Sequence, residues 1–150
     1  MLMASPRYDP PFDAFCALAA QGNLTPVYRT LLGDMLTPVS AYEKLAEGEY
    51  AFLLESASGG EKIARYSFLG CDPFLIFTAV RDRVAVRRGD AVRSFASEDP
   101  LRSLEDAVRE FRAAPVPGLP RFCSGAVGYA AYDCVRYVER LPHAPPDALD

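Results

Sequence analysis

The 150-residue sequence contains no tryptophan and a single histidine, His143, so several kinds of active site lack their usual residues. Ser-His-Asp and Cys-His arrangements need a histidine base, and no other pairing of a nucleophile with a base is visible. The four cysteines form no C-x-x-C pair, and the histidine lies in a proline-rich tail, which argues against a zinc site. We therefore predict no catalytic residue and no metal ligand.

Long apolar runs and an excess of basic residues are also absent. No stretch approaches the roughly 20 apolar residues of a transmembrane helix, and the N-terminus has no basic segment followed by an apolar run. The net charge of -4 argues against a nucleic-acid partner. The cysteines have apolar neighbours, so we expect them to be buried in a protein of a reducing compartment, the cytoplasm. They are Cys16, Cys71, Cys123 and Cys134.

Three segments have the residue spacing of amphipathic helices. The first covers residues 12–19 and is ended by Gly22. The second is expected to begin with Thr37 as its cap and Pro38 in its first turn, and to extend to about Glu47. The third follows Asp99 and carries an apolar stripe to residue 111. We also expect a short helix within residues 132–140.

Between the second and third helices the sequence predicts a block of about five strands, at residues 50–56, 63–69, 74–80, 83–88 and 91–96. Gly89 and Asp90 suit a two-residue type II′ hairpin, and alternation around Val84 and Val86 predicts that this hairpin buries one face only. The arginines near it, such as Arg87 and Arg88, are interpreted as a solvated sheet face.

Two further segments complete the predicted fold. Residues 25–32 are expected to be extended, and residues 122–129, which are apolar and glycine-rich, to form a buried strand. Short turns between neighbouring strands indicate a largely antiparallel sheet, with helices packed at its ends and on one face. The expected fold class is therefore α+β.

One candidate binding site lies where two of the predicted strands approach each other. The first strand ends in Glu55 and Ser56, and the second carries Arg65, Tyr66 and Ser67. A carboxylate and hydroxyls suit an ammonium group, whereas a guanidinium suits a carboxylate, so together these groups match an amino acid. Apolar side chains would wall its side-chain pocket. They are Phe52, Leu54, Phe68 and Leu69.

The same residues also allow a simpler interpretation. Glu55 and Arg65 would then form a surface ion pair beside a glycine turn, worth at most about 1 kcal/mol. Ser56 and Ser67 would cap backbone groups of the loop. Spacing alone leaves both interpretations open.

Several strings of the sequence resemble anthranilate synthase component I. The longest is FLLESASGGEKIARYSFLGCDP at residues 52–73. It is preceded by GNLTPVY and DMLTPVSAY, and followed by FCSGAVGY and YDCVR. The resemblance is collinear over nearly the whole chain, which makes it specific. Ser124 departs from the pattern, because the family usually has a second glycine there.

The resemblance implies an activity that belongs to a longer protein. The family converts chorismate and ammonia to anthranilate and pyruvate in tryptophan biosynthesis, a carbon–oxygen lyase reaction that requires Mg²⁺. The ammonia comes from a glutamine amidotransferase partner, component II. The chorismate and Mg²⁺ residues lie in a C-terminal domain. Residues 1–150 are then expected to be the N-terminal domain, cut off before the catalytic part and inactive alone.

The resemblance also implies a ligand for the candidate site. The N-terminal domain of the family helps to bind tryptophan, the feedback inhibitor, and the L-L-E-S motif contributes to that pocket. Ser56 is carried over from this motif, and Glu55 adjoins it. Arg65, Tyr66 and Ser67 match the R-Y-S string of the family by residue type.

Three alternatives remain open at this point. The related aminodeoxychorismate synthase component I uses the same fold and substrate, although the unbroken G-G-E-K-x-x-R-Y-S-F-L-G string favours the anthranilate enzyme. A free-standing amino-acid-binding module without catalysis is a second alternative. The third is a purely structural fragment that is stable only when docked.

Overall fold

The computed structural model describes residues 8–55 and 66–142. Three α-helices are present in these ranges: α1 at Phe12–Ala19, α2 at Pro38–Leu45 and α3 at Pro100–Arg109. A short 3₁₀-helix follows at Tyr132–Tyr137. The strands are β1 at Ala51–Glu55, β2 at Ser67–Cys71, β3 at Ile76–Val80, β4 at Arg83–Arg88 and β5 at Ala91–Ala96. The predicted glycine turn after residue 56, the start of the predicted 63–69 strand and His143 lie outside the described residues.

Side-chain caps determine where two of the helices begin. At α2 the Ser40 N–H donates to the Thr37 hydroxyl over 3.1 Å, and the Thr37 N–H donates to the Ser40 hydroxyl over 2.9 Å. At α3 the Arg102 N–H donates to the Asp99 carboxylate over 2.9 Å. Each cap satisfies a backbone donor that has no partner inside the helix. Both predicted starts are confirmed, and α2 ends at Leu45, before the expected Glu47.

The strands form two antiparallel sheets, a β1–β2 hairpin and a three-stranded sheet in the order β3–β4–β5. This arrangement confirms the predicted α+β fold class. The turn between β4 and β5 has Gly89 at a φ of 55°. The φ of Asp90 is negative, so Gly89 and Asp90 have the φ signs of the predicted type II′ turn.

The three-stranded sheet buries one of its faces, as the alternation of β4 predicted. The register places Ala79, Val84 and Phe95 side by side, and Val84 is 1% exposed. On the opposite face Val80 is 70% exposed and Val92 is 61% exposed. The apolar side of this sheet therefore carries the best-packed residue of the described structure.

An N-terminal segment docks against the end of α3 through its backbone. The Asn23 side-chain amide donates to the Glu110 carbonyl over 2.7 Å, and its oxygen accepts from the Arg112 N–H over 2.6 Å. Leu24 forms a parallel bridge with Ala113. A Cβ placed on Gly22 would lie 2.3 Å from the Arg112 carbonyl oxygen. Only glycine allows this close approach, so Gly22 and Asn23 together tie the chain's N-terminal part to α3.

The arginines of β4 are not simply a solvated face. Arg87 forms an ion pair with Glu49 at 3.2 Å, and its guanidinium lies 5.3 Å from the centre of the Tyr50 ring. Arg88 forms an ion pair with Glu110, next to the end of α3. Both arginines therefore join the middle strand to segments outside the sheet, which corrects the expectation from sequence.

Two other predictions are wrong. Residues 122–129 form no strand, and all of them except Phe122 are exposed, because no neighbouring strand in the described ranges pairs with them. Cys16 and Cys123 are also exposed, whereas Cys71 and Cys134 are half-buried.

Two further segments differ in detail from the expectation. The helix expected within 132–140 is the shorter 3₁₀-helix, and residues 25–32 contribute only an isolated bridge between Tyr28 and Asp9.

The core of the described structure is small. Only Val84, Pro100 and Ala114 are buried among the described residues, whereas many large apolar side chains lie on the surface. Tyr129, for example, is 96% exposed. A chain of this size ordinarily buries many more residues, so these described ranges leave apolar surface uncovered. Within them no helix has both the length and the hydropathy for crossing a bilayer.

Candidate functional site

The β1–β2 hairpin brings two of the predicted site residues directly opposite each other. Its register pairs Glu55 with Ser67, and Leu53 with Leu69. Directly paired residues of antiparallel strands have Cβ atoms about 5 Å apart. The carboxylate and the hydroxyl therefore lie within reach of one small ligand, at the end of the hairpin where the described part of β1 stops.

Alternation along the strands divides the other predicted residues between two faces. Glu55 and Ser67 share one face with Leu53 and Leu69, because paired and alternate residues point the same way. The Tyr66 ring lies 6.0 Å from the Phe68 ring, on the opposite face. The predicted site residues are thus not all convergent, and Tyr66 contributes to a different surface from Ser67.

The predicted apolar pocket is wrong for the same reason. Phe52, Leu54 and Phe68 occupy the opposite face from Leu69, so the four cannot wall a single cavity within the hairpin. The Phe52 ring covers Gly70, where an added Cβ would lie 2.6 Å from the ring. On the Glu55 and Ser67 face, the Leu53–Leu69 pair is the nearest apolar support, and the Ala51–Cys71 pair lies beyond it.

Of the five predicted site residues, Ser56 and Arg65 lie outside the described residues. Glu55 and Ser67 are exposed, and neither side chain makes a hydrogen bond or an ion pair with another described residue. A carboxylate beside a hydroxyl offers acceptors that suit an ammonium group. The hairpin therefore has the acceptor groups needed to hold the ammonium group of a ligand.

An aromatic cluster on the opposite face was not foreseen from the sequence. The Phe68 ring contacts the Phe122 ring edge to face, with the ring centres 5.2 Å apart and the planes at 82°. Such pairs add about 1 kcal/mol beyond the area that they bury. Tyr66, Phe68 and Phe122 form what we term the aromatic cluster. No sequence signal links Phe122 to β2, because the contact joins segments far apart in the chain.

The described residues offer no site for the Mg²⁺ that the resemblance implies. Within residues 8–55 and 66–142, no group of three or more His, Cys, Asp and Glu side chains is arranged to hold a metal ion. Desolvation by burial and the neighbouring Asp72 carboxylate raise the pKa of the Cys71 thiol, which disfavours its thiolate form.

A shallow cleft of about 300 Å³ lies on the exposed face of the three-stranded sheet. None of the predicted site residues lines it. The cleft lies on one exposed sheet face, without the apolar enclosure of a typical small-molecule site. Its lining residues are Thr78, Val80, Arg83, Val84, Ala85 and Ser94.

Comparison with curated proteins finds relatives along nearly the whole chain. It is 37% identical over 140 residues to anthranilate synthase component 1 of Acetivibrio thermocellus, covering 93% of this chain and 28% of the relative. It is 44% identical over 141 residues to that of Pseudomonas putida, covering 91% and 29%. A probable anthranilate synthase component 1 of Schizosaccharomyces pombe is 41% identical over 126 residues, covering 83% and 22%.

The chain thus spans under a third of the length of these relatives. No family model and no solved structure matches it.

Proposed function

The chain is homologous to the N-terminal region of anthranilate synthase component 1, and from this premise we propose that it is the regulatory part of such an enzyme. In this proposal residues 1–150 form the N-terminal domain, and the chorismate and Mg²⁺ residues belong to a separate C-terminal domain. The whole enzyme would convert chorismate and ammonia to anthranilate and pyruvate. Component II, a glutamine amidotransferase, would supply the ammonia.

The proposed ligand of this part is tryptophan, which would act as a feedback inhibitor. The observation that carries the proposal is the direct pairing of Glu55 with Ser67, both exposed at the end of a hairpin whose sequence resembles the family's inhibitor motif. The carboxylate and hydroxyl would hold the ammonium group, while Leu53 and Leu69 on the same face would contact the indole. Ser56 and Arg65 would complete the site.

Inhibition requires that tryptophan bind two arrangements of the enzyme with different affinity. A ligand that contacts the hairpin and the catalytic domain together would favour one arrangement of the two, and in the proposal this arrangement binds chorismate poorly. The site described in the hairpin is open on one side, so this chain alone would bind tryptophan weakly. Sub-micromolar affinity would instead support the free-standing binding module.

Because the protein contains no tryptophan, the ligand's own fluorescence reports binding without background from the protein's indoles. We expect L-tryptophan anisotropy to rise as the protein is titrated in. Glu55→Gln should weaken binding about tenfold, because hydrogen bonds to a charged partner contribute about 1.5 kcal/mol or more. Ser94→Ala, which removes an exposed hydroxyl from the other sheet, serves as the matched control.

If the parent protein and Glu55→Gln bound L-tryptophan with equal affinity, Glu55 would not belong to the site. In an enzyme that carries this sequence as its N-terminal region, Ser56→Arg should abolish tryptophan inhibition and leave uninhibited turnover unchanged. Full sensitivity of that variant to tryptophan would contradict the regulatory assignment. Complementation of a tryptophan auxotroph by that enzyme would exclude the aminodeoxychorismate branch.

A further inference from the structure

Strand β2 contributes side chains to two surfaces at once. Ser67 and Leu69 lie on the face proposed to bind the ligand, whereas Phe68 points to the other face and joins Tyr66 and Phe122 in the aromatic cluster. A change in the position of β2 on one face therefore changes the packing on the other. No loop or linker separates the two surfaces, because adjacent residues of one strand form them.

Phe122 is the attachment point of the segment that follows it. Within residues 121–130 it is the only residue that is not exposed. The chain turns back over its ring, since a Cβ on Gly125, whose φ is 153°, would lie 3.0 Å from the Phe122 ring. Residues 123–129 belong to no helix or strand, so their position depends on few contacts other than this one.

The hairpin itself is suited to respond to a ligand. An isolated two-stranded hairpin is marginally stable in water, so this one depends on its packing against α2. A ligand that orders β2 from the Glu55 and Ser67 face would thereby favour the packed position of Phe68 against Phe122. The effect is reciprocal, since seating Phe122 would favour the hairpin conformation that binds the ligand.

We propose that the aromatic cluster couples occupancy of the hairpin site to the position of residues 122–129, with Phe122 as the positioning residue. This inference rests on the proposed function, because it takes L-tryptophan as the ligand of the hairpin. Binding stabilises the contact of Phe122 with Phe68 that the structure shows, and so restrains the residues that follow Phe122. The position of residues 122–129 thus depends on whether the hairpin site is occupied, although these residues are not part of that site.

The neighbouring thiol of Cys123, which is exposed, supplies a direct readout. We expect saturating L-tryptophan to change the rate of alkylation of Cys123 by iodoacetamide about fivefold, the factor that corresponds to one edge-to-face aromatic contact. The exposed Cys16 of α1 should react at the same rate with and without the ligand. Mass spectrometry of peptides separates the two rates in one sample.

Phe122→Leu should still bind L-tryptophan, as measured by ligand anisotropy, while its Cys123 rate should no longer respond. Phe74→Leu is the matched control, because Phe74 forms a second edge-to-face pair, with Phe111, at 5.1 Å. This variant should keep the response of Cys123. Circular dichroism checks that both variants fold. Whether the Cys123 rate responds to L-tryptophan at all is measured on the parent protein and does not depend on either variant.

The outcomes separate the inference from the proposed function. Binding of L-tryptophan without any change in the Cys123 rate overturns the coupling and leaves the tryptophan site intact. A response that persists in Phe122→Leu overturns the role of Phe122. Absence of binding in the anisotropy measurement overturns the tryptophan site, and the coupling with it.

Discussion

The three-stranded sheet and the two-stranded hairpin are both antiparallel, yet they differ in how well they are packed. Of the three buried residues of the described structure, Val84 lies in β4, Pro100 begins α3, and Ala114 lies in the segment that follows α3. The hairpin has no buried residue in its described strands, and two of its proposed site residues are exposed. The comparison indicates that the three-stranded sheet contributes more to stability than the hairpin does.

The difference has a simple structural cause. Strand β4 has a neighbour on each side and α3 nearby, so its apolar side chains are covered from several directions. Among the helices, the β1–β2 hairpin packs mainly against α2. A two-stranded sheet is marginally stable by itself, so its stability depends on the elements that pack against its faces.

The largest expected effect concerns the attachment of Gly22 and Asn23 to the segment at the end of α3. Gly22→Ala places a methyl group against the Arg112 carbonyl oxygen, and backbone atoms there cannot rotate away. We expect the free energy of unfolding to fall by about 3 kcal/mol, measured from the urea midpoint.

Gly33→Ala is the control for this substitution, because nothing lies within 4 Å of the added methyl group. It should change the free energy of unfolding by less than about 0.5 kcal/mol. Equal stability of the two variants would show that the docked segment does not support the packed region.

A second, smaller effect compares the buried side of the three-stranded sheet with an exposed side chain outside both sheets. Val84→Ala removes two methyl-sized groups from the best-buried side chain of the sheet, and we expect it to cost about 2 kcal/mol. Tyr129→Ala removes a much larger side chain that is 96% exposed, and should cost less than about 0.5 kcal/mol. If thermal unfolding instead ranked Tyr129→Ala as the more damaging, the contrast in packing would be wrong.

The smallest effect concerns the contact between the 3₁₀-helix and the β3–β4 turn. The Tyr137 hydroxyl donates to the Arg81 carbonyl over 2.9 Å. Desolvation, with smaller contributions from Cys134 and Asp82, raises the pKa of Tyr137 above its ordinary value of 10.0. The folded state therefore favours the neutral phenol, so its contribution to stability is complete below about pH 10 and is lost as the pH rises further.

We expect Tyr137→Phe to lose less stability than the parent between about pH 9 and pH 11, as measured by urea unfolding at each pH. At neutral pH the variant should be slightly less stable, because the Arg81 carbonyl loses its donor. Parallel pH profiles for the two proteins would show that the phenol ionises as readily in the folded state as in the unfolded chain.

Local sequence signals predicted the regular elements well. The bounds of α1, β4 and β5 are those expected, and the caps at Thr37 and Asp99 begin their helices where their side chains indicated. These elements depend on periodicity, capping groups and turn residues that lie within a few positions of each other. For the site, the same reasoning correctly brought Glu55 and Ser67 together across one hairpin.

The errors concern features that depend on distant parts of the chain. Residues 122–129 have the composition of a buried strand, but a strand needs a neighbouring strand, and composition does not supply one. Cys16 and Cys123 have apolar neighbours in sequence and are exposed nonetheless. The contact of Phe68 with Phe122 has no local signature at all.

The sequence by itself determined the main helices, the hairpin turn and the similarity to part of anthranilate synthase component 1, because each depends on short-range patterns or on collinear strings. Only the tertiary structure decided which face each site residue occupies, what the β4 arginines contact and where Phe122 packs. Strand register and long-range packing are settled by the total burial and pairing of the whole chain. A shift of one residue in β2 would move every side chain of that strand to the opposite face, and no local pattern reveals which register prevails.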